Sequence, residues 1–154
     1  MQVAFYKGKR RLFNRLVSWW LRGPYSHCEL VIRVDEAGRA HCLSSSFMDG
    51  GVRIKVMWLD PAHWDLVPAR PRISASRAYQ WAYDNAEAGY DVFGLLGFVW
   101  RRQRGGQHRW FCSEAVADVL GYPEPWRYDP CVLHSTLAAQ QQPAQAGFFY
   151  GGGP

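Results

Sequence analysis

Two short segments carry residue types able to do covalent chemistry. One is Trp110-Phe111-Cys112-Ser113-Glu114-Ala115-Val116-Ala117, a cysteine opening an apolar helical pattern; the other is Tyr25-Ser26-His27, a histidine opening a β-branched run. In the first turn of a helix, unsatisfied N–H groups and the positive end of the macrodipole favour a thiolate over a thiol, which activates a nucleophile. A histidine held against that sulfur would take its proton or form a thiolate–imidazolium pair, and a third polar group on the far ring nitrogen would fix the tautomer. The backbone N–H of Cys112, with Tyr25 as a second donor two residues before His27, could form an oxyanion hole. The plain alternative is that Cys112 is a small core residue at a buried helix start.

Other chemistries find less support. The chain has no Walker loop, no G-x-G-x-x-G after a strand, no H-E-x-x-H and no G-x-S-x-G elbow. His27-Cys28 and His41-Cys42 repeat a pair of possible zinc ligands. Adjacent strand residues point to opposite faces, however, so neither pair can hold one ion while its strand stays regular, and no metal or other cofactor is expected. Four cysteines (Cys28, Cys42, Cys112, Cys131) without a C-x-x-C pair suit free thiols in a reducing compartment.

The elements that must position these residues follow from pattern. Ser26 to Val34 reads as a strand, Asp35-Glu36-Ala37-Gly38 as a turn and Arg39 to Ser46 as its hairpin partner. After Asp49-Gly50-Gly51, Val52 to Val56 alternates apolar and basic residues as a half-exposed strand, and Trp64 to Val67 offers a fourth. The short connections make the sheet antiparallel. Helices are expected over Ser74 to Ala88, with Ser74 or Ser76 as N-cap and Gly89 at the end, over Tyr90 to Trp100, over Phe111 to Leu120 closed by Gly121, and over Pro130 to Ala139. Arg10 to Arg22 places Leu12, Leu16, Trp19 and Trp20 on one helical stripe, which either lies on the core or, with the Trp pair exposed, meets a membrane surface. Arg101 to Arg109 is a basic loop, a solvated face or an anion-binding lip.

The chain has 154 residues, a formal net charge of +5, 48% apolar residues and eight tryptophans. That suits one globular domain, placed at 1–139 with a flexible tail at 140–154, and argues against disorder. No apolar stretch is long enough for a membrane span. Met1 to Tyr6 shows no secretory signal, so a cytoplasmic or virion-associated location is expected, with other export routes open. The positive surplus favours an acidic partner, such as an anionic polymer or lipid, without pointing to specific nucleic-acid binding.

The order Ser26-His27 on a hairpin, Gly51-Val52, Tyr90-Asp91 and Phe111-Cys112-Ser113-Glu114 resembles the circularly permuted branch of the NlpC-type papain-like cysteine hydrolases, the YiiX-like group, to which the lecithin retinol acyltransferase group is related. In that branch the histidine precedes the cysteine. The resemblance covers about Val3 to Ser135, and the chain also resembles small proteins carried by tailed phages and prophages. It implies an α+β papain-like fold, with the Cys112 helix packed on the antiparallel sheet that bears His27, and it makes Cys112 the nucleophile and His27 the base. The family places a polar third residue on the strand after the base. Counting back from Gly51-Val52, that position falls at Ser45, which brings no charge. A hairpin centred on Glu36-Ala37 pairs His27 with Ser46 and Glu29 with Ser44, so Ser45, Ser44 and His41 are the candidates in that order. Asp91 is read as a helix cap, Tyr90 as packing beneath it, and Glu114 as a structural hydrogen-bonding group.

Two functions follow. The first is a thiol hydrolase that cleaves an amide, with a cell-wall peptide as the first substrate, or an ester, through an acyl-enzyme. The second is a degenerate papain-like module, a binding or structural part of a phage particle, motivated by the uncharged third position.

Overall fold

The β-branched and aromatic runs pair into a single sheet in a computed structural model that describes residues 1–8, 12–20, 22–90 and 109–141. Its strands are β1 (Gln2–Tyr6), β2 (His27–Val34), β3 (Ala40–Ser46), β4 (Gly51–Met57), β5 (Trp64–Pro68) and two strands of two residues, β6 (Gly89–Tyr90) and β7 (Arg109–Trp110). They are ordered β5-β1-β2-β3-β4-β6-β7, antiparallel throughout except that β6 and β7 run parallel. The helices are α1 (Leu12–Trp20), α2 (Ala75–Asp84), α3 (Cys112–Leu120) and α4 (Pro130–Ala139), so the chain is α+β with an antiparallel sheet packed against helices.

The sheet divides its side chains by alternation. Val3, Phe5, Cys28, Leu30, Leu43 and Val52 join the helices in the main core, whereas Ala4, Val31, Ala40 and Cys42 form a smaller cluster on the other face, with Met57, Leu59 and Trp64 beside it. Strand β1, absent from the sequence expectation, lies between β5 and β2, and Val3, Ala4 and Phe5 are all fully buried. A central strand covered on both faces reads as a continuous apolar run, which hides its period of two.

Helix α3 lies across β2 and β3. Ala115, Val116, Val119 and Leu120 are buried there, each Val or Leu contributing about 1.5–3 kcal/mol, and Gly121 closes the helix at φ +80°. The main core thereby fixes where the first residue of α3, Cys112, sits on the sheet.

Four expectations need correction. Helix α2 ends at Asp84 rather than Ala88, and Gly89 belongs to β6; Ser74 is the N-cap, its Oγ accepting from the Arg77 N–H at 3.2 Å. Tyr90 is a strand residue paired with Trp110, not the start of a helix, while Asp91 to Trp100 and the basic residues 101–108 lie outside the described residues, as does the tail from 142. In helix α1 Val17 and Ser18 are buried while Leu16 and Trp19 are 58% and 72% exposed, so these two residues of the stripe do not lie on the core; the side chains of Leu12 and Trp20 lie outside the described residues. The β2–β3 register holds as expected at Leu30↔Leu43 and Val31↔Cys42, but shifts by one at a bulge before Arg33↔His41, close to the turn.

Candidate active site

Residue Phe111 is extended and Cys112 opens α3, so the sulfur sits at a helix N-terminus. Three contacts hold that end. Ser45 Oγ on β3 donates to the Trp110 carbonyl at 2.7 Å, Ser113 Oγ donates to the Tyr128 carbonyl at 2.6 Å, and Glu114 Oε2 accepts from the Phe111 N–H at 3.3 Å. Indole N–H groups brace the flank: Trp81 donates to Asp118 at 2.7 Å and Trp110 to Asn85 at 2.9 Å, with the two rings 5.1 Å apart.

The Cys112 sulfur is fully buried, with the Cys28 thiol and N–H and the His27 ring as the groups that act on its charge. Burial alone would raise its pKa. The Cys28 thiol, then the charge and N–H of His27, then the Cys28 N–H outweigh that penalty and bring the thiol down to about 5. The same contacts act in reverse on the imidazole. Burial pulls His27 down, but the Cys112 thiolate and then Glu29 push it up to about 10. Cys112 and His27 therefore form an ion pair over the neutral range. The other thiols move the opposite way: burial raises Cys28, Cys42 and Cys131.

The far side of the imidazole is held by Glu29, two residues along the same strand and on the same face. His27 Nε2 lies 2.8 Å from Glu29 Oε1, and Glu29 is 1% exposed. A buried carboxylate needs compensation, and Arg53 provides it from β4 with two hydrogen bonds, 2.6 Å to Oε2 and 2.5 Å to Oε1. Burial favours protonation of Glu29, but the Arg53 and His27 contacts hold its pKa below the usual range. Arg53 Nε is in turn fixed by Asp49 Oδ2 at 2.9 Å, and Lys55 Nζ reaches Asp49 Oδ1 at 3.0 Å.

The structure thus sets His27 beside Cys112 and makes Glu29, rather than any of the three expected residues, the hydrogen-bond partner of its ring. Ser45 is committed to the Trp110 carbonyl, Ser44 Oγ donates to the Cys28 carbonyl at 2.7 Å, and His41 lies toward the hairpin turn beside Arg33 and Val56, so none of the three orients the imidazole. Tyr25 is also placed otherwise than expected: its hydroxyl donates to Asp65 at 2.9 Å and lies 3.2 Å from His134 Nε2, so it offers no hydrogen to an oxyanion at Cys112. Among the described residues no three His, Cys, Asp or Glu side chains are arranged to hold a metal ion.

A cavity of about 320 Å³ opens beside His27 on the face of the sheet away from α3. Tyr6, Phe47, Met48, Met57 and Trp64 supply its apolar wall; Glu29, Asp49, Arg53 and Lys55 supply charge. Ser26 also lines it. Its Oγ is buried with no hydrogen-bond partner among the described residues.

Comparison with protein-family models and with curated proteins finds no match to this chain.

Proposed function

We propose that the protein is a thiol hydrolase built as a circularly permuted papain-like domain, with Cys112 as nucleophile, His27 as acid–base and Glu29 as the residue that positions His27. The observation that carries this reading is the Cys112–His27–Glu29 chain, buried at Cys112 and Glu29 and partly open at His27, in which the thiol is pulled down to about 5 and the imidazole up to about 10. An ion pair of that kind is what a cysteine nucleophile requires at neutral pH.

In the proposed reaction the thiolate attacks an amide or ester carbonyl carbon. The His27 imidazolium gives its proton to the departing nitrogen or oxygen, leaving a thioester on Cys112. Neutral His27 then takes a proton from water, the hydroxide adds to the thioester, and the thiolate leaves as the carboxylic acid is released. The Cys112 N–H, at the start of α3, is the backbone donor available to the oxyanion. The non-catalytic alternative drew its motive from an uncharged third residue, and Glu29 removes that motive.

The test is to incubate the protein with a neutral activated ester, quench it in acid and map adducts by mass spectrometry. An acyl group on Cys112 of the parent, absent from Cys112→Ala and accumulating about 10²–10⁴-fold more slowly in His27→Ala, is expected. A parent that carries no acyl group on Cys112 under any ester would contradict the reading.

A further inference from the structure

The first 28 residues hold six Lys and Arg and no Asp or Glu, whereas the rest of the chain holds twelve basic and thirteen acidic residues. The whole positive surplus therefore comes from the segment that runs through β1 and α1 to the start of β2. Within it Lys7 is paired with Asp65 at 2.6 Å, but Arg15 and Arg22 are exposed and have no carboxylate partner among the described residues. Arg15 and Trp19 stand four apart and Leu16 and Trp19 three apart, so the three share one face of α1, where Leu16 and Trp19 are 58% and 72% exposed. Helix α1 joins β1 to β2 and so lies at the end of the sheet where Tyr6 pairs with His27. Strand β3 runs antiparallel to β2 and ends at Ser46, which puts the β3–β4 turn at the same end, with Phe47 and Met48 exposed in it. The carboxylates nearby are already committed, Asp65 to Lys7 and Tyr25, Asp49 to Arg53 and Lys55.

We infer that this end of the molecule docks on the surface of an anionic lipid bilayer, with Leu16, Trp19 and Met48 entering the headgroup boundary and Arg15 and Arg22 meeting lipid phosphates. A nucleic acid or other anionic polymer would answer the charge but leave Leu16 and Trp19 in water. A second copy of the chain would cover the apolar residues but set like charges against each other. A bilayer satisfies both features at once. Docking asks nothing of the Cys112 sulfur, so it goes beyond the hydrolase reading and is read without any ester.

The test is flotation of the full chain with vesicles of phosphatidylcholine alone and of phosphatidylcholine mixed equally with phosphatidylglycerol. The parent is expected to bind the mixed vesicles at low salt at least tenfold better than the neutral ones, and to lose most of that binding at about 1 M salt, where the screening length falls to about 3 Å. Arg15→Gln and Arg22→Gln should each weaken it about fivefold, and Leu16→Ser, Trp19→Ser and Met48→Asp each about tenfold. All five positions are exposed, so the thermal midpoints should stay at the parent's value. Val34→Thr, at an apolar residue 58% exposed at the far end of β2, should leave flotation unchanged. A parent that does not float with the mixed vesicles, or floats equally with the neutral ones, would overturn the inference. So would variants at the five positions that float like the parent, a Val34→Thr variant that does not, or a parent dimer that Trp19→Ser dissociates.

Discussion

Glu29 shows how a single side chain ties the candidate site together. One carboxylate faces an imidazole on its own strand and a guanidinium two strands away, and its burial makes both contacts strong. The pH–rate profile should therefore be bell-shaped, rising through an acid limb near 5 as Cys112 ionises and falling through an alkaline limb near 10 as His27 loses its proton, with both limbs belonging to the coupled pair. Glu29→Gln keeps a hydrogen-bond acceptor but removes the charge, so the alkaline limb of kcat/KM should move to lower pH; an unmoved limb would deny Glu29 its positioning role. Cys112 and His27 were legible in the sequence because their types, their place at element starts and their order carry a signal. Glu29 stood in the same segment as a His-x-Glu pair, which alternation puts on one face. The pattern the chain resembles points to the next strand instead, and the partner that makes a buried carboxylate tolerable, Arg53, is 24 residues away.

Among the elements, hairpins and helices with strong local signals were legible: the β2–β3 turn, strand β4, α3 with its Gly121 end, and α4. Pairing between distant segments was not. Strand β1 finds its partners only in β2 and β5, and β6 exists because β4 lies beside it. Gly51 is where that last pairing is decided. It sits at φ +147°, and a Cβ there would come within 2.1 Å of the Ala88 carbonyl oxygen. Since Val52 N–H also donates to that oxygen, at 3.2 Å, a side chain at Gly51 would prise the residues before β6 away from β4. Gly51→Ala should destabilise the protein by more than about 1 kcal/mol, read as a lower urea midpoint. A parent-like midpoint would mean that this junction does not contribute to the fold.

For the whole molecule, the charge network predicts how stability depends on pH. Contacts with Arg53 and Lys55 take Asp49 down to about 2, and Glu29 is also lowered. A group whose folded pKa is depressed stabilises the fold fully above its unfolded pKa, about 4 for these carboxyls, and loses that contribution as pH falls through the folded value. The urea midpoint should thus decline between about pH 4 and pH 2, and decline less steeply in Asp49→Asn; a slope equal to the parent's would remove Asp49 from the account. At this scale the sequence indicated the class, α+β with an antiparallel sheet, and the helix-on-sheet placement of cysteine and histidine. It could not indicate which face of α1 turns inward, because Leu16 and Trp19 are as apolar as the Val17 that the core takes.

Everything proposed for the site depends on His27 holding Cys112 as a thiolate at neutral pH. A titration of ultraviolet thiolate absorbance, parent minus Cys112→Ala, tests it without requiring a reagent to reach a buried sulfur, and the other three thiols, all raised by burial, stay silent over the range that matters. A single step near pH 5 is expected in the parent, displaced upward by several units in His27→Ala. A parent step at or above the ~8.5 of an ordinary cysteine, unchanged when His27 is removed, would contradict it.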